Sequence, residues 1–98
     1  MACGYYIVEL DVQKPEMMPR YRELVGPTLE TFGGEILAAS NTVSHLQGEP
    51  APRSRVVVIR FPTYQRALDW FHSEDYAEAL AIRKEACISR AIVVEGLA

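Results

Sequence analysis

The stretch "RVVVIRF", residues 55–61, constrains this chain more than any other. Read as a strand, it points Val57 and Ile59 to one face and Val56 and Val58 to the other. A strand that is apolar on both faces must be covered on both. Ile92, Val93 and Val94 repeat the pattern near the C-terminus. Any fold for this chain therefore has to supply two covers for one sheet.

The rest of the chain supplies one of them. Tyr6, Val8, Leu10 and Val12 alternate with Glu9 and Asp11, so Tyr5–Val12 reads as a strand. Gln13-Lys14-Pro15 ends it. From Met17 onward, Met18, Tyr21, Val25, Leu29 and Phe32 recur at helical spacing, and Gly33-Gly34 is suited to close that helix with a left-handed cap. Pro27 lies inside the pattern and is expected to kink the helix or end its regular part. "EILAAS" is a short strand, and "TVSHLQ" is expected to continue it or pair with it. "GEPAPRS" is loop, broken by Gly48, Pro50 and Pro52. After "RVVVIRF", Pro62 stops the strand. Gln65 to His72 is a short helix, a second helix runs from Ser73 to about Glu85, and "SRAIVVEG" is the last strand. Strand, helix, strand, strand, helix, strand is the split βαβ, or ferredoxin-like, order: a four-stranded antiparallel sheet with two helices on one face. The simplest cover for the other face is a second copy of the same sheet, packed through a two-fold axis. A homodimer through the open sheet face is expected.

Ninety-eight residues make one domain, 1–98. A net charge of −3 lacks the concentrated basic face of a nucleic-acid binder, with Arg53 and Arg55 the densest basic spot. No apolar run approaches the roughly 20 residues that cross a bilayer. The N-terminal "MACGYYIVELDV" alternates like a strand and does not resemble a signal peptide. Cys3 and Cys87 have no metal or redox spacing, and His45 adds none. A reduced, cytoplasmic protein without a metal or cofactor is expected.

The chemically rich stretch is "WFHSEDYAEALAIRKEA", Trp70 to Ala86. Ser73, Glu74 and Asp75 are what a helix start uses: a hydroxyl accepting from a free N–H, and carboxylates at the positive end of the dipole. Ser73 has no nucleophile elbow around it. Tyr76, Leu80, Arg83 and Cys87 fall on one helical stripe, so Tyr76 and Arg83 point toward the sheet. An arginine there is paired, snorkels outward, or awaits a carboxylate. His72, at the junction of two helical segments, is a candidate proton shuttle. Tyr21, on the first helix, and Tyr6, on the first strand, can line the same space. Glu9 and Asp11 share a strand face where solvation or cross-dimer pairing is the plainer reading.

"GYYIVELDV", "FGGEIL", "LQGEPAPRSRVVVIRFPT", "ALDWFHSEDYAEALAIR" and the closing "VEG" resemble the family called domain of unknown function 1330, over Gly4 to Gly96. The resemblance implies a ferredoxin-like domain of the dimeric α+β barrel superfamily. That superfamily includes cofactor-free monooxygenases, lactone isomerases, dehalogenase-like, heme-binding and regulatory members, while the family itself has no assigned reaction. Two positions depart from its pattern: Ala39 stands where relatives commonly carry arginine, and Gln47 where they carry glutamate. The combined expectation is a homodimer binding a small anionic or aromatic metabolite between sheet and helices. Arg83, Tyr21 and Tyr6 would bind it, and His72 and Tyr76 would act in catalysis if a cofactor-free isomerase or monooxygenase reaction takes place. The alternative is a non-catalytic ligand-binding or structural dimer.

Overall fold

Alternation decides which way the first strand faces. In β1 (Gly4–Val12), Gly4, Tyr6, Val8 and Leu10 are buried while the residues between them stay half-exposed. The computed structural model describes residues 2–49 and 54–98; the Pro50–Arg53 part of the expected loop lies outside the described residues. β1 pairs antiparallel with β3 (Arg55–Phe61) on one side and with β4 (Cys87–Glu95) on the other. β2 (Glu35–Ser40) pairs with β3, giving the sheet order β2-β3-β1-β4. The register sets Tyr6 against Ile59 and Val93, and Leu10 against Arg55 and Ser89, so these residues share the helix-covered face.

Three helices lie on that face. A single 3₁₀ turn at Pro15–Met17 leads into α1 (Met18–Phe32). The helix continues through Pro27, which neither ends it nor stops its hydrogen bonding beyond that point. A buried anchor just past the proline outweighs the missing N–H. Thr28 Oγ1 donates to the Val25 carbonyl at 2.7 Å and accepts from the Trp70 indole N–H at 2.9 Å. Gly33 then adopts φ 77° as the left-handed cap, and the Gly34 N–H donates to Leu29 O at 2.7 Å. A Cβ on Gly34 would sit 2.9 Å from both Leu29 and Phe61, so the pair divides two jobs, conformation and clearance.

"TVSHLQ" forms no strand. β2 ends at Ser40, whose Oγ accepts from the Thr42 N–H at 2.9 Å and turns the backbone off the sheet edge. β2 also carries a bulge between Ile36 and Ala38.

The second helical region is split as its caps dictate. Thr63 Oγ1 accepts from the Arg66 N–H at the start of α2 (Tyr64–Phe71). Ser73 Oγ accepts from the Tyr76 N–H at the start of α3 (Glu74–Ala86) and donates to Trp70 O at 2.7 Å. No loop separates α3 from β4, which begins at Cys87 and not at Ser89. The reason is a clamp: the Gln13 and Lys14 N–H groups both donate to Ala86 O, at 2.8 and 3.0 Å. Cys87 is therefore strand, paired with Val12, and the buried stripe of α3 is Tyr76, Ala79, Arg83 and Ala86. Leu80 is only half-buried beside it.

The core lies between the three helices and the sheet, with Trp70, Phe61, Tyr6 and Tyr76 its largest enclosed side chains. The opposite sheet face carries Ile7, Val56, Val58, Ile88, Ile92 and Val94. Ile88, Ile92 and Val94 are 49%, 50% and 45% exposed. Among the described residues, no helix is long and apolar enough to cross a membrane.

Candidate functional site

Arg83 comes from the last turn of α3, where helical spacing aims it at β1. It is 3% exposed, yet no carboxylate among the described residues pairs with it. Its Nη1 donates to the hydroxyls of Tyr6 and Tyr76, the latter at 3.2 Å. Tyr76 shares a 2.9 Å hydrogen bond with the hydroxyl of Tyr21 on α1. Arg83 Nε is buried with no hydrogen-bond partner among the described residues. A guanidinium stays charged at any accessible pH, so this core holds a cation met only by neutral oxygens. Most buried charges are paired, because an unpaired one is costly to desolvate.

The phenols stay neutral. Burial pushes the Tyr6 pKa up against the pull of Arg83, and burial together with the nearby Tyr21 pushes Tyr76 far above the ordinary 10.0. Because Tyr76 accepts from Arg83, its own proton is available to Tyr21. That leaves the Tyr21 proton free to be donated elsewhere. A raised native pKa has a definite sign in stability. The contribution is complete below the unfolded tyrosine pKa of about 10 and is lost as pH climbs toward the native value. In an alkaline ultraviolet titration, Tyr6 and Tyr76 are expected to ionise only as the fold fails. Complete tyrosine ionisation near pH 10 with the circular dichroism intact would refute this.

Beside the cluster is a cavity of about 160 Å³ between sheet and helices. Its walls are apolar (Val8, Leu10, Met18, Val25, Leu29, Ile36, Val57 and Ile59), and Tyr6, Tyr21 and Arg83 border it. Arg22, Arg55 and Ala39 complete its lining. No aspartate, glutamate or histidine lines it among the described residues. The cavity is below the roughly 300–1,000 Å³ of drug-sized ligand pockets, which suits a small metabolite.

Four of the five residues singled out from sequence thus come together: Tyr6, Tyr21, Tyr76 and Arg83. Tyr76 is fully enclosed and meets the cavity through its hydrogen bonds to Tyr21 and Arg83. His72 does not join them. It is exposed at the end of α2 and lines a separate cavity of about 360 Å³ with Tyr64, Leu68, Phe71 and Ile92; Tyr6 is the wall the two cavities share. Glu9 and Asp11 lie on the open sheet face, where Asp11 accepts from Gln13 at 2.8 Å. Arg22 and Arg55 were not expected at a site. Strand alternation could have found Arg55, since it shares a face with Val57 and Ile59. Among the described residues, no three histidine, cysteine or acidic side chains are grouped as metal ligands would be.

A family model described as domain of unknown function (DUF1330) matches residues 3–97. No curated protein matches the chain. Among solved structures, it is similar to a protein of unknown function from Rhodopseudomonas palustris. That likeness has a TM-score of 0.76 and 19% identity over 99% of this chain and 84% of that one. SnoaB from Streptomyces nogalater, described as a cofactor-independent oxygenase, gives a TM-score of 0.59 at 8% identity, over 96% and 92%. A dimeric ferredoxin-like protein of unknown function from Thermobifida fusca gives 0.58 at 11%, over 96% and 91%. At these identities the likeness establishes the ferredoxin-like α+β fold.

Proposed function

Since the chain belongs to the DUF1330 family, whose name assigns no reaction, we propose from the site that it binds a small carboxylic acid with an apolar body. The observation that carries this reading is Arg83: buried, charged, and without a carboxylate partner among the described residues. A ligand carboxylate would supply the missing counter-charge, with Tyr21 donating a further hydrogen bond and the aliphatic wall taking the ligand's body. Tyr6 and Tyr76 hold the guanidinium in place. His72 has no part in this reading, because it borders the other cavity. The test is a thermal-shift screen against small aliphatic and aromatic acids, with Arg83→Ala alongside. Wild type should be stabilised and the variant should not.

The same cluster would stabilise a developing enolate or oxyanion, as preorganised donors do. The likeness to a cofactor-independent oxygenase makes an isomerase or monooxygenase the natural reaction class. Yet the described residues lining the cavity offer no carboxylate or imidazole to take a proton. That favours binding without turnover, the second reading. Mass spectrometry of a bound acid recovered after aerobic incubation separates the two: an altered mass requires catalysis.

The open sheet face supports a homodimer. Six apolar side chains on one face make a patch that monomers rarely leave to water, and a fold neighbour is described as dimeric. Light scattering should give about twice the 11.0 kDa chain mass. Ile92, opposite Ile7 at the middle of that face, should tolerate no charge there, so Ile92→Asp should run at the single-chain mass. If the variant keeps the doubled mass, the contact lies elsewhere.

A further inference from the structure

The acid-binding reading leaves two arginines unexplained. Arg22 on α1 and Arg55 at the start of β3 border the same cavity as Arg83. Neither forms a salt bridge among the described residues, whereas Arg20 and Arg60, their neighbours in sequence on the same elements, both do. Among the described residues, Arg55 donates to Asn41 Oδ1 at 3.2 Å and to no carboxylate. Three arginines, two tyrosines and, among the described residues, no acid thus border a space whose other walls are aliphatic. The strand positions that carry Tyr6 and Arg55 are separated along the sheet. Tyr6, which holds Arg83, stands level with Ile59, while Arg55 stands level with Leu10. Those levels are four residues apart, about 13 Å of strand. Val8 and Val57 line the span between them.

We infer that the ligand has two acidic groups at opposite ends of an apolar chain or ring. One is held by buried Arg83 and Tyr21, the other by Arg22 and Arg55 at the mouth. This rests on the proposed role of Arg83 and adds the identity of the ligand's far end. A monoacid would fill the inner end and leave the outer arginines facing solvent. A diacid of matching length would neutralise both ends. The two ends differ in salt response: exposed pairs at the mouth are screened, and the buried pair much less so.

Titration calorimetry with succinate, adipate, suberate and octanoate tests it. Suberate should bind roughly tenfold more tightly than octanoate, as two exposed ion pairs of ordinary strength would give, and succinate should be too short to gain. The suberate advantage should shrink in high salt and vanish in the Arg22→Gln/Arg55→Gln protein. Equal affinities for suberate and octanoate in wild type would overturn the second acidic group while leaving Arg83 as an anchor. So would a suberate advantage that survives the double substitution. Failure of every acid to bind, in wild type as in Arg83→Met, would remove the acid-binding reading itself, and this inference with it.

Discussion

Arg83→Ala is expected to give no thermal shift with any acid that stabilises the wild-type protein. Removing one member of a buried charge pair costs about 2–5 kcal/mol of binding, which is roughly 30-fold or more in affinity. The substitution leaves the apolar wall and the Tyr21 hydroxyl in place, so the loss reports the guanidinium itself. Lysine should not restore it, because an ammonium cannot present the planar fork that meets a carboxylate and two phenols together. Arg83→Met adds a second reading of the same side chain. It keeps the aliphatic stem and removes a buried charge that has no carboxylate partner among the described residues. The free Met variant should therefore be as stable as wild type, or more so, while failing to respond to acids. Equal acid responses in wild type and both variants would end the case for Arg83 as the anchor. His72→Ala, by contrast, should respond as wild type does.

Trp70→Ala should produce the largest loss of stability. Trp70 is fully enclosed and its ring meets four others: Tyr76 at 4.1 Å between centroids, Tyr6 at 5.0, Phe61 at 5.2 and Phe71 at 6.4. Its indole N–H ties α2 to Thr28 of α1. Truncating such a side chain costs about 3–5 kcal/mol, against a total of about 5–15 for a typical domain. For a chain of this size the melting temperature should fall by about 12 °C or more, measured by circular dichroism because the chain has no other tryptophan. Trp70→Phe keeps a ring but loses the bond to Thr28, and should fall between the two. A melting temperature within about 3 °C of wild type for the alanine variant would refute this account of the core. The site should loosen as well, since Tyr76 stacks on Trp70 and holds Arg83.

Much of this was legible in the residues, for reasons that differ by element. β1 alternates strictly, so its buried face could be read directly, and Gly33-Gly34 fixed the end of α1. Ser73 followed by two acids announced a helix start. Tyr76 and Arg83 sit seven apart, two turns of one helix, which is enough to put both on the sheet side. Three things were not legible. Pro27 looks like a breaker because the anchor that holds the next turn, Trp70 on Thr28, is 42 residues away. The start of β4 is hidden because the clamp on Ala86 comes from Gln13 and Lys14, distant in the chain. Arg22 reads as a surface charge, and Arg55, although alternation puts it on the face of Val57 and Ile59, could not be tied to it, because only the folded arrangement brings α1 and β3 to one cavity. Local pattern carries facing and caps; it does not carry which surfaces meet.

The joint between α3 and β4 has a consequence for how this sequence can vary in length. With no spacer between Ala86 and Cys87, and Ala86 pinned by two backbone donors, the rotational phase of α3 is locked to the register of the sheet. One residue added or removed between Arg83 and Cys87 would turn the guanidinium by about 100° around the helix, away from Tyr6 and into α1 or solvent. Insertions and deletions are absorbed far more readily at 41–49, where the chain has left the sheet edge. Substitution can reshape the cavity at many positions, but the spacing from Arg83 to Cys87 has to stay at four.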